Sequence, residues 1–178
     1  MMKRLVFVIV ALAAMSAAPA AAQQHGQHGE HHANAAYRGP IMSADEQAIA
    51  NVVETLFDGM RAGDSSMVRS VFHPQVRMVT SFRNREGVPQ VSVENDLTGF
   101  VTAVGTPHEQ VWDERISNLV IRTDGDFGMA WMEYGFFAGE QFSHCGVDLM
   151  ELVRTAEGWK IIGLADTRRR AGCEQWTR

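Results

Sequence analysis

Apolar positions change their period once along this chain. Between Ile49 and Met60 the residues Ile49, Val52, Val53, Leu56, Phe57 and Met60 fall at helical spacing and mark one buried stripe. Ser43-Ala44-Asp45-Glu46 before it matches a capping box, and Gly63 after it is a natural stop. Asp64 is placed to cap a second, shorter helix through Val71 and Phe72, which Pro74 closes. Val76 to Phe82 predicts a first strand, and 84–90, with Gly87 and Pro89, a loop. Ser92 is the expected cap of a third helix carrying Val93, Leu97, Phe100, Val101 and Val104, ended by Gly105 and Pro107. Beyond that point β-branched and aromatic residues predict four strands, 110–122, 127–137, 143–154 and 159–167. Three turns join them: Thr123-Asp124-Gly125-Asp126, Ala138-Gly139-Glu140-Gln141 and Thr155-Ala156-Glu157-Gly158. Helices first and a long antiparallel sheet last imply an α+β fold. Its curved antiparallel sheet wraps around about three N-terminal helices and forms a cone-shaped pocket.

Counting register out from the turns sorts the strand residues by face. With the turn near Glu140 fixing the register, Tyr134 lies nearly opposite Gly146 and Met132 opposite Asp148. One face then holds Arg115, Ser117, Met132, Tyr134, Phe136, His144, Asp148, Met150, Leu152, Trp159 and Ile161. The other holds Glu114, Trp131, Glu133, Cys145, Val147, Glu151, Lys160, Ile162, Leu164 and Asp166. Aromatic groups mixed with a few polar ones mark the first as the pocket wall. The second is too apolar around Trp131, Val147, Ile162 and Leu164 to stand bare in water. A homodimer through the outside of the sheet is therefore expected. A single bulge would swap these assignments.

The N-terminus changes the address. Lys3 and Arg4 precede an apolar run from Leu5 to Met15, and Ala20-Ala21-Ala22 offers small residues for cleavage, so 1–22 reads as a signal peptide. Residues 23–42 form a His-rich linker with too little apolar surface to fold, 43–170 the domain, and 171–178 a C-terminal tail. Cleavage would leave 14 basic against 21 acidic residues from a chain of 178 whose net charge is −5, making the mature protein more acidic still. That composition argues against nucleic acid and anionic membrane surfaces as partners, and no membrane insertion is expected after cleavage. A periplasmic or secreted location follows. In such a compartment the two cysteines, Cys145 and Cys173, invite a disulfide; the alternative is two unpaired thiols. The linker histidines His25, His28, His31 and His32 form a candidate copper or nickel site, strongest at a new amino terminus Gln23-Gln24-His25. The alternative is a soluble spacer.

Several segments together resemble one family. They are the helix run Ala48 to Met60 with Ala62-Gly63-Asp64, then Val71-Phe72-His73-Pro74, and the hairpin from Ser143-His144-Cys145-Gly146-Val147-Asp148 through Gly158-Trp159-Lys160-Ile161-Ile162 to Asp166-Thr167-Arg168-Arg169. Across Ser43 to Thr167 the chain resembles the nuclear-transport-factor-2-like superfamily, also called SnoaL-like or cystatin-like. Within it, the chain is most similar to the exported subgroup labelled putative lumazine-binding. The resemblance implies the cone fold; activity varies across the superfamily, from isomerases, cyclases, dehydratases and epoxide hydrolases to non-catalytic binding modules. Ketosteroid isomerases of this fold place an Asp base just after the first strand, where this chain reads Val79-Thr80-Ser81. Their first-helix tyrosine falls near Leu56 or Phe57, which lack a hydroxyl. Isomerase chemistry of that kind is not expected.

Candidate chemistry lies on the later strands. His144 and Asp148 are four apart on one strand, about 13 Å of rise, so both face one side without touching along the strand. They are candidates for acid and base, with Tyr134 as a donor to a developing oxyanion. Arg115, Trp112, Met132 and Phe136 are the candidate ligand-binding residues. His73 reads as the C-terminal cap of the second helix, and Asp166 ahead of Arg168-Arg169-Arg170 as a solvated charged edge. Three functions stand open: an exported protein binding a small apolar or aromatic molecule, a metal-independent acid-base enzyme in the same pocket, or copper or nickel handling by the tail.

Overall fold

The computed structural model describes residues 42–177. The predicted signal peptide, most of the linker and the four linker histidines lie outside the described residues. The first helix forms as its sequence dictates. α1 spans Ala44–Ala62, with the Ser43 hydroxyl accepting from the Glu46 N–H and the Glu46 carboxylate accepting from the Ser43 N–H. It ends on Gly63 at φ 65°, a left-handed conformation that glycine adopts without penalty. α2 spans Ser65–Ser70, and the Asp64 carboxylate accepts from the N–H groups of Ser66 and Met67 at 2.9 Å.

α2 is shorter than expected. Phe72 already opens strand β1, Phe72–Arg83, so His73 caps no helix; its Nδ1 accepts from the Gln75 N–H inside the strand. The segment after it also departs from expectation. Pro89–Glu94 is strand β2, paired antiparallel to β1, and Ser92 therefore starts no helix. The physical signal was present: Val91 and Val93 alternate with Gln90, Ser92 and Glu94, a period of two. The hairpin is closed by Asn84, whose side-chain oxygen accepts from the N–H groups of Glu86 and Val88. α3 runs Thr98–Gly105, with Asp96 accepting from the Thr98 N–H at 2.7 Å.

Four long strands complete the sheet: β3 Trp112–Asp124, β4 Phe127–Ala138, β5 Gln141–Thr155 and β6 Gly158–Arg168. The order is β2-β1-β6-β5-β4-β3. Every neighbour is antiparallel except β1 with β6, which run parallel. The stripe of α1, with Ile49, Val53, Leu56 and Phe57 each at most 3 % exposed, packs with Val101 and Val104 of α3 onto the sheet's inner face. Ala130, Met132, Met150, Leu152 and Ile161 supply the other side of that core.

Bulges bend the sheet and decide its faces. Tyr134 pairs with Gly146 and Met132 with Asp148, as expected, because Ser143 is an extra residue on β5 between Phe142↔Phe137 and His144↔Phe136 that offsets the two-residue turn. Between Val120↔Trp131 and Ser117↔Glu133, however, β3 carries one extra residue, with Asn118 at φ 53°. The bulge shifts parity, so Glu114 rather than Arg115 lies opposite Phe136 on the inner side. On β6, Ile162 is the extra residue between Ile161↔Leu152 and Gly163↔Glu151. Beyond it Leu164 and Asp166 face inward, reversing their expected side.

The outer face is crossed by one apolar row on all six strands: Val93, Val79, Ala165, Leu149, Trp131 and Val120, each paired with the next. Trp131 and Val120 are 44 % and 40 % exposed. The residues after β6 fold back over another part of this face. Cys145 and Cys173 form the disulfide, Arg169 exchanges backbone hydrogen bonds with Cys145, and Gln175 donates to Glu133. Trp176 lies on Gly135, where an added Cβ would approach its ring to 2.5 Å. The tail from residue 171 is thus packed on the sheet and tied to it by the disulfide.

Candidate functional site

A cavity of about 410 Å³ opens between the helices and the concave side of the sheet. Leu56, Phe57 and Met60 from α1 and Phe100 and Ala103 from α3 make one wall. The sheet makes the other, with Trp112 and Phe136 on the aromatic side and Thr80, Glu114, Tyr134, His144, Asp148, Asp166 and Arg168 on the polar side. The rings are ordered: Trp112 meets Phe136 edge-on at 5.9 Å, Phe136 stacks on His144 at 5.1 Å, and His108 stacks on Trp112 at 4.0 Å.

The structure sorts the candidate residues. His144, Asp148, Tyr134, Trp112 and Phe136 all line the cavity. Arg115 does not. The Asn118 bulge turns it outward, where it pairs with Asp113 and lies 4.0 Å over the Phe137 ring. Met132 also drops out: it is fully buried in the core next to the cavity. Asp166, read as a solvated edge, is only 7 % exposed and sits inside. Glu114, Thr80 and Arg168 are cavity residues that strand counting missed. Only the bulges could have revealed Glu114, and no local sequence signal marks them apart from an Asn able to take positive φ.

Two hydrogen-bonded groups form the polar floor. Asp166 accepts from Thr80 at 2.6 Å, from Arg168 at 2.8 Å and from the Tyr134 hydroxyl at 3.4 Å. Thr80 occupies the strand segment that lacks an acid, and its pairing partner on β6 supplies one instead. The Tyr134 hydroxyl also reaches the Thr167 carbonyl at 2.9 Å. This geometry needs Gly146, because a Cβ there would strike the Thr167 carbonyl oxygen and crowd the Tyr134 ring.

The second group is a carboxyl pair. Glu114 reaches across β4 to hydrogen-bond Asp148, which is 3 % exposed. Burial and then the nearby negative charge of Asp148 raise the Glu114 carboxyl well above its ordinary range, so Glu114 is the donor. Burial also lifts Asp148 to about 7, partly offset by the bond from Glu114. Two carboxyls thus hold one proton near neutral pH. Burial, then the positive charge of Arg168, pushes His144 down to about 4, so it is a neutral imidazole with Nδ1 against the Ser143 hydroxyl at 3.0 Å. Burial and then the Asp166 charge raise Tyr134, which stays a neutral phenol. The site combines a flat apolar wall with a shared proton, a neutral base and a fixed ion pair. Among the described residues no group of three or more His, Cys, Asp or Glu is arranged to hold a metal ion.

Comparison with known proteins places this architecture. An NTF2-like protein of unknown function from Shewanella baltica superposes with a TM-score of 0.55 at 13 % identity, covering 75 % of this chain and all of its own. An NTF2-like protein with a cystatin-like fold from Novosphingobium aromaticivorans gives 0.57 at 10 % identity, covering 75 % and 89 %. One from Cytophaga hutchinsonii gives 0.56 at 12 % identity, covering 72 % and 100 %. At these identities the likeness establishes the fold alone. No functionally curated protein matches the sequence. The family described as "Putative lumazine-binding" matches residues 44–164, from the start of α1 to the cavity-lining Leu164, and the chain belongs to that family within the NTF2-like superfamily.

Proposed function

We propose that this protein is an exported binding protein that holds one small, mostly apolar or aromatic molecule in the cavity. The observation that carries the reading is the cavity itself: about 410 Å³, walled by Phe57, Phe100, Trp112 and Phe136, with polar groups on one side only. Sites that bind small molecules have this composition, an apolar body with a few convergent polar groups. The family's description points the same way. The apolar N-terminal run and the Cys145–Cys173 disulfide support a periplasmic or secreted location. The apolar row from Val93 to Val120 supports a homodimer through the outer face. Native mass spectrometry of protein purified from its own periplasm tests the reading. A non-covalent adduct of constant mass, lost on Phe136→Arg, is expected; bare protein from every preparation counts against it.

A second reading rests on the Glu114–Asp148 pair. A buried acid that titrates near neutrality beside a protonated partner is suited to move a proton. Under this reading Asp148 is the base and Glu114 the acid. Tyr134 is a poor oxyanion donor, because its hydroxyl already serves Thr167. Incubating the recovered ligand with the protein decides between the two. Unchanged ligand after prolonged incubation with wild-type protein removes the enzymatic reading and leaves the binding one.

A further inference from the structure

We propose that the cavity's ligand carries a protonated amine or amidine head, seated against Glu114, Asp148 and Asp166, with its flat body between Trp112, Phe136 and the α1 wall. The inference rests on the binding reading above and adds the charge of the ligand. The argument begins with how lopsided the cavity is. No side chain that α1 or α3 contributes to the lining is charged: they supply Leu56, Phe57, Met60, Phe100 and Ala103. All the polarity comes from the sheet, so a bound molecule must turn its polar end that way.

The sheet side carries three carboxyl groups, from β3, β5 and β6, with Glu94 of β2 at the rim. Among the described residues one lining cation stands against them, Arg168, already held by Asp166 at 2.8 Å. His144 is neutral, held down first by burial and then by the charge of Arg168. The Tyr134 hydroxyl is spent on Thr167. An anionic head would therefore meet the Glu114–Asp148 carboxyl pair and an Asp166–Arg168 ion pair whose cation is already engaged. A cationic head meets acceptors, together with ring faces that favour positive charge. The Glu114–Asp148 pair lets the cavity adapt. Empty, it stores a proton and limits the cost of buried charge; with a cation in place the proton leaves and a second carboxylate forms. Binding is then coupled to proton release, and affinity falls as the medium becomes acidic.

Isothermal titration calorimetry with three matched indoles tests this: tryptamine (cation), tryptophol (neutral) and indole-3-acetate (anion). At about pH 8 tryptamine is expected to bind roughly tenfold or more tighter than tryptophol, with indole-3-acetate weakest. Repeating the tryptamine titration in phosphate and in Tris, whose ionisation enthalpies differ, is expected to reveal proton release. Tryptamine's advantage should shrink several-fold at about pH 5, and likewise in Asp148→Asn, with a near-ultraviolet circular dichroism spectrum confirming that the variant is folded. Tryptophol or indole-3-acetate binding as tightly as tryptamine overturns the cationic ligand but leaves a binding cavity intact. If none of the three binds and the fluorescent probe 1-anilinonaphthalene-8-sulfonate is also excluded, both the charge assignment and the binding reading fail.

Discussion

Replacing Asp148 by asparagine removes a buried titration that the fold works against. In the folded chain Asp148 titrates at about 7, against an ordinary value of 3.8, chiefly because burial penalises its charge. A folded-state value above the unfolded one means that folding favours the protonated acid. The favourable contribution is complete below about pH 4 and is lost as pH rises through about 7. At about 1.4 kcal/mol per pH unit, the full loss is on the order of 4 kcal/mol. Glu114 shares the proton and Arg168 offsets part of the charge, so roughly 2–4 kcal/mol is the expected range. Asparagine mimics the protonated acid in shape and cannot ionise. Asp148→Asn should therefore match the wild type near pH 4 and exceed it by roughly 2–4 kcal/mol near pH 8, a shift of about 1 M or more in urea midpoint. Urea unfolding followed by tryptophan fluorescence across this pH range measures it, and subtracting wild type from variant cancels the other carboxylates. A variant no more stable than wild type near pH 8, or a gain that is the same near pH 4, refutes the reasoning.

Further predictions concern the outer face. Gly135→Ala forces the Trp176 ring off β4 and is expected to cost roughly 1–3 kcal/mol, seen as a lower melting temperature and faster proteolysis of the last residues; an unchanged melt argues against that packing. Removing the Cys145–Cys173 bridge by a double serine substitution opens a loop of sequence separation 28 and should cost roughly 3–4 kcal/mol in chemical denaturation. A loss under about 1 kcal/mol would mean that the tail packing alone holds the segment. Trp131→Lys places a charge in the middle of the apolar row and is expected to convert a dimer to monomer by sedimentation velocity. A wild-type protein that sediments as a monomer at micromolar concentration excludes self-association through this row.

Much of the architecture was legible because it is written in local patterns. The Ser43–Glu46 capping box and the Ile49-to-Met60 stripe fix α1 at both ends. The two-residue turns fix the β3–β4–β5–β6 meander, but the Tyr134↔Gly146 pairing also needs the extra residue Ser143 on β5, without which the turn would set Tyr134 opposite Cys145. Legibility stopped at two kinds of feature. The first is segments whose state depends on a partner elsewhere in sequence. Pro89–Glu94 becomes a strand because β1 is there to pair with it, and Phe72 joins β1 because β6 runs alongside. The second is parity. One extra residue at Asn118 and another at Ile162 exchange the faces of β3 and the end of β6. The Arg115 and Asp166 assignments reverse for that reason alone.

The class of fold, the first helix, the four-stranded meander, the cysteine pair available for bridging and a hollow with His144, Asp148, Tyr134, Trp112 and Phe136 on its wall were all written in the sequence. These follow from spacing within a single helix, turn or hairpin, where near neighbours in the chain are near neighbours in space. The folded chain alone reveals that Glu114 meets Asp148, that Asp166 joins Thr80 and Arg168, and that the last described residues pack on the outer face. Apart from the Asp166–Arg168 pair, those contacts join residues far apart in the chain, and the inward turn of Glu114 and Asp166 depends on bulges. These set which way a strand residue points only after the whole sheet has closed around its helices.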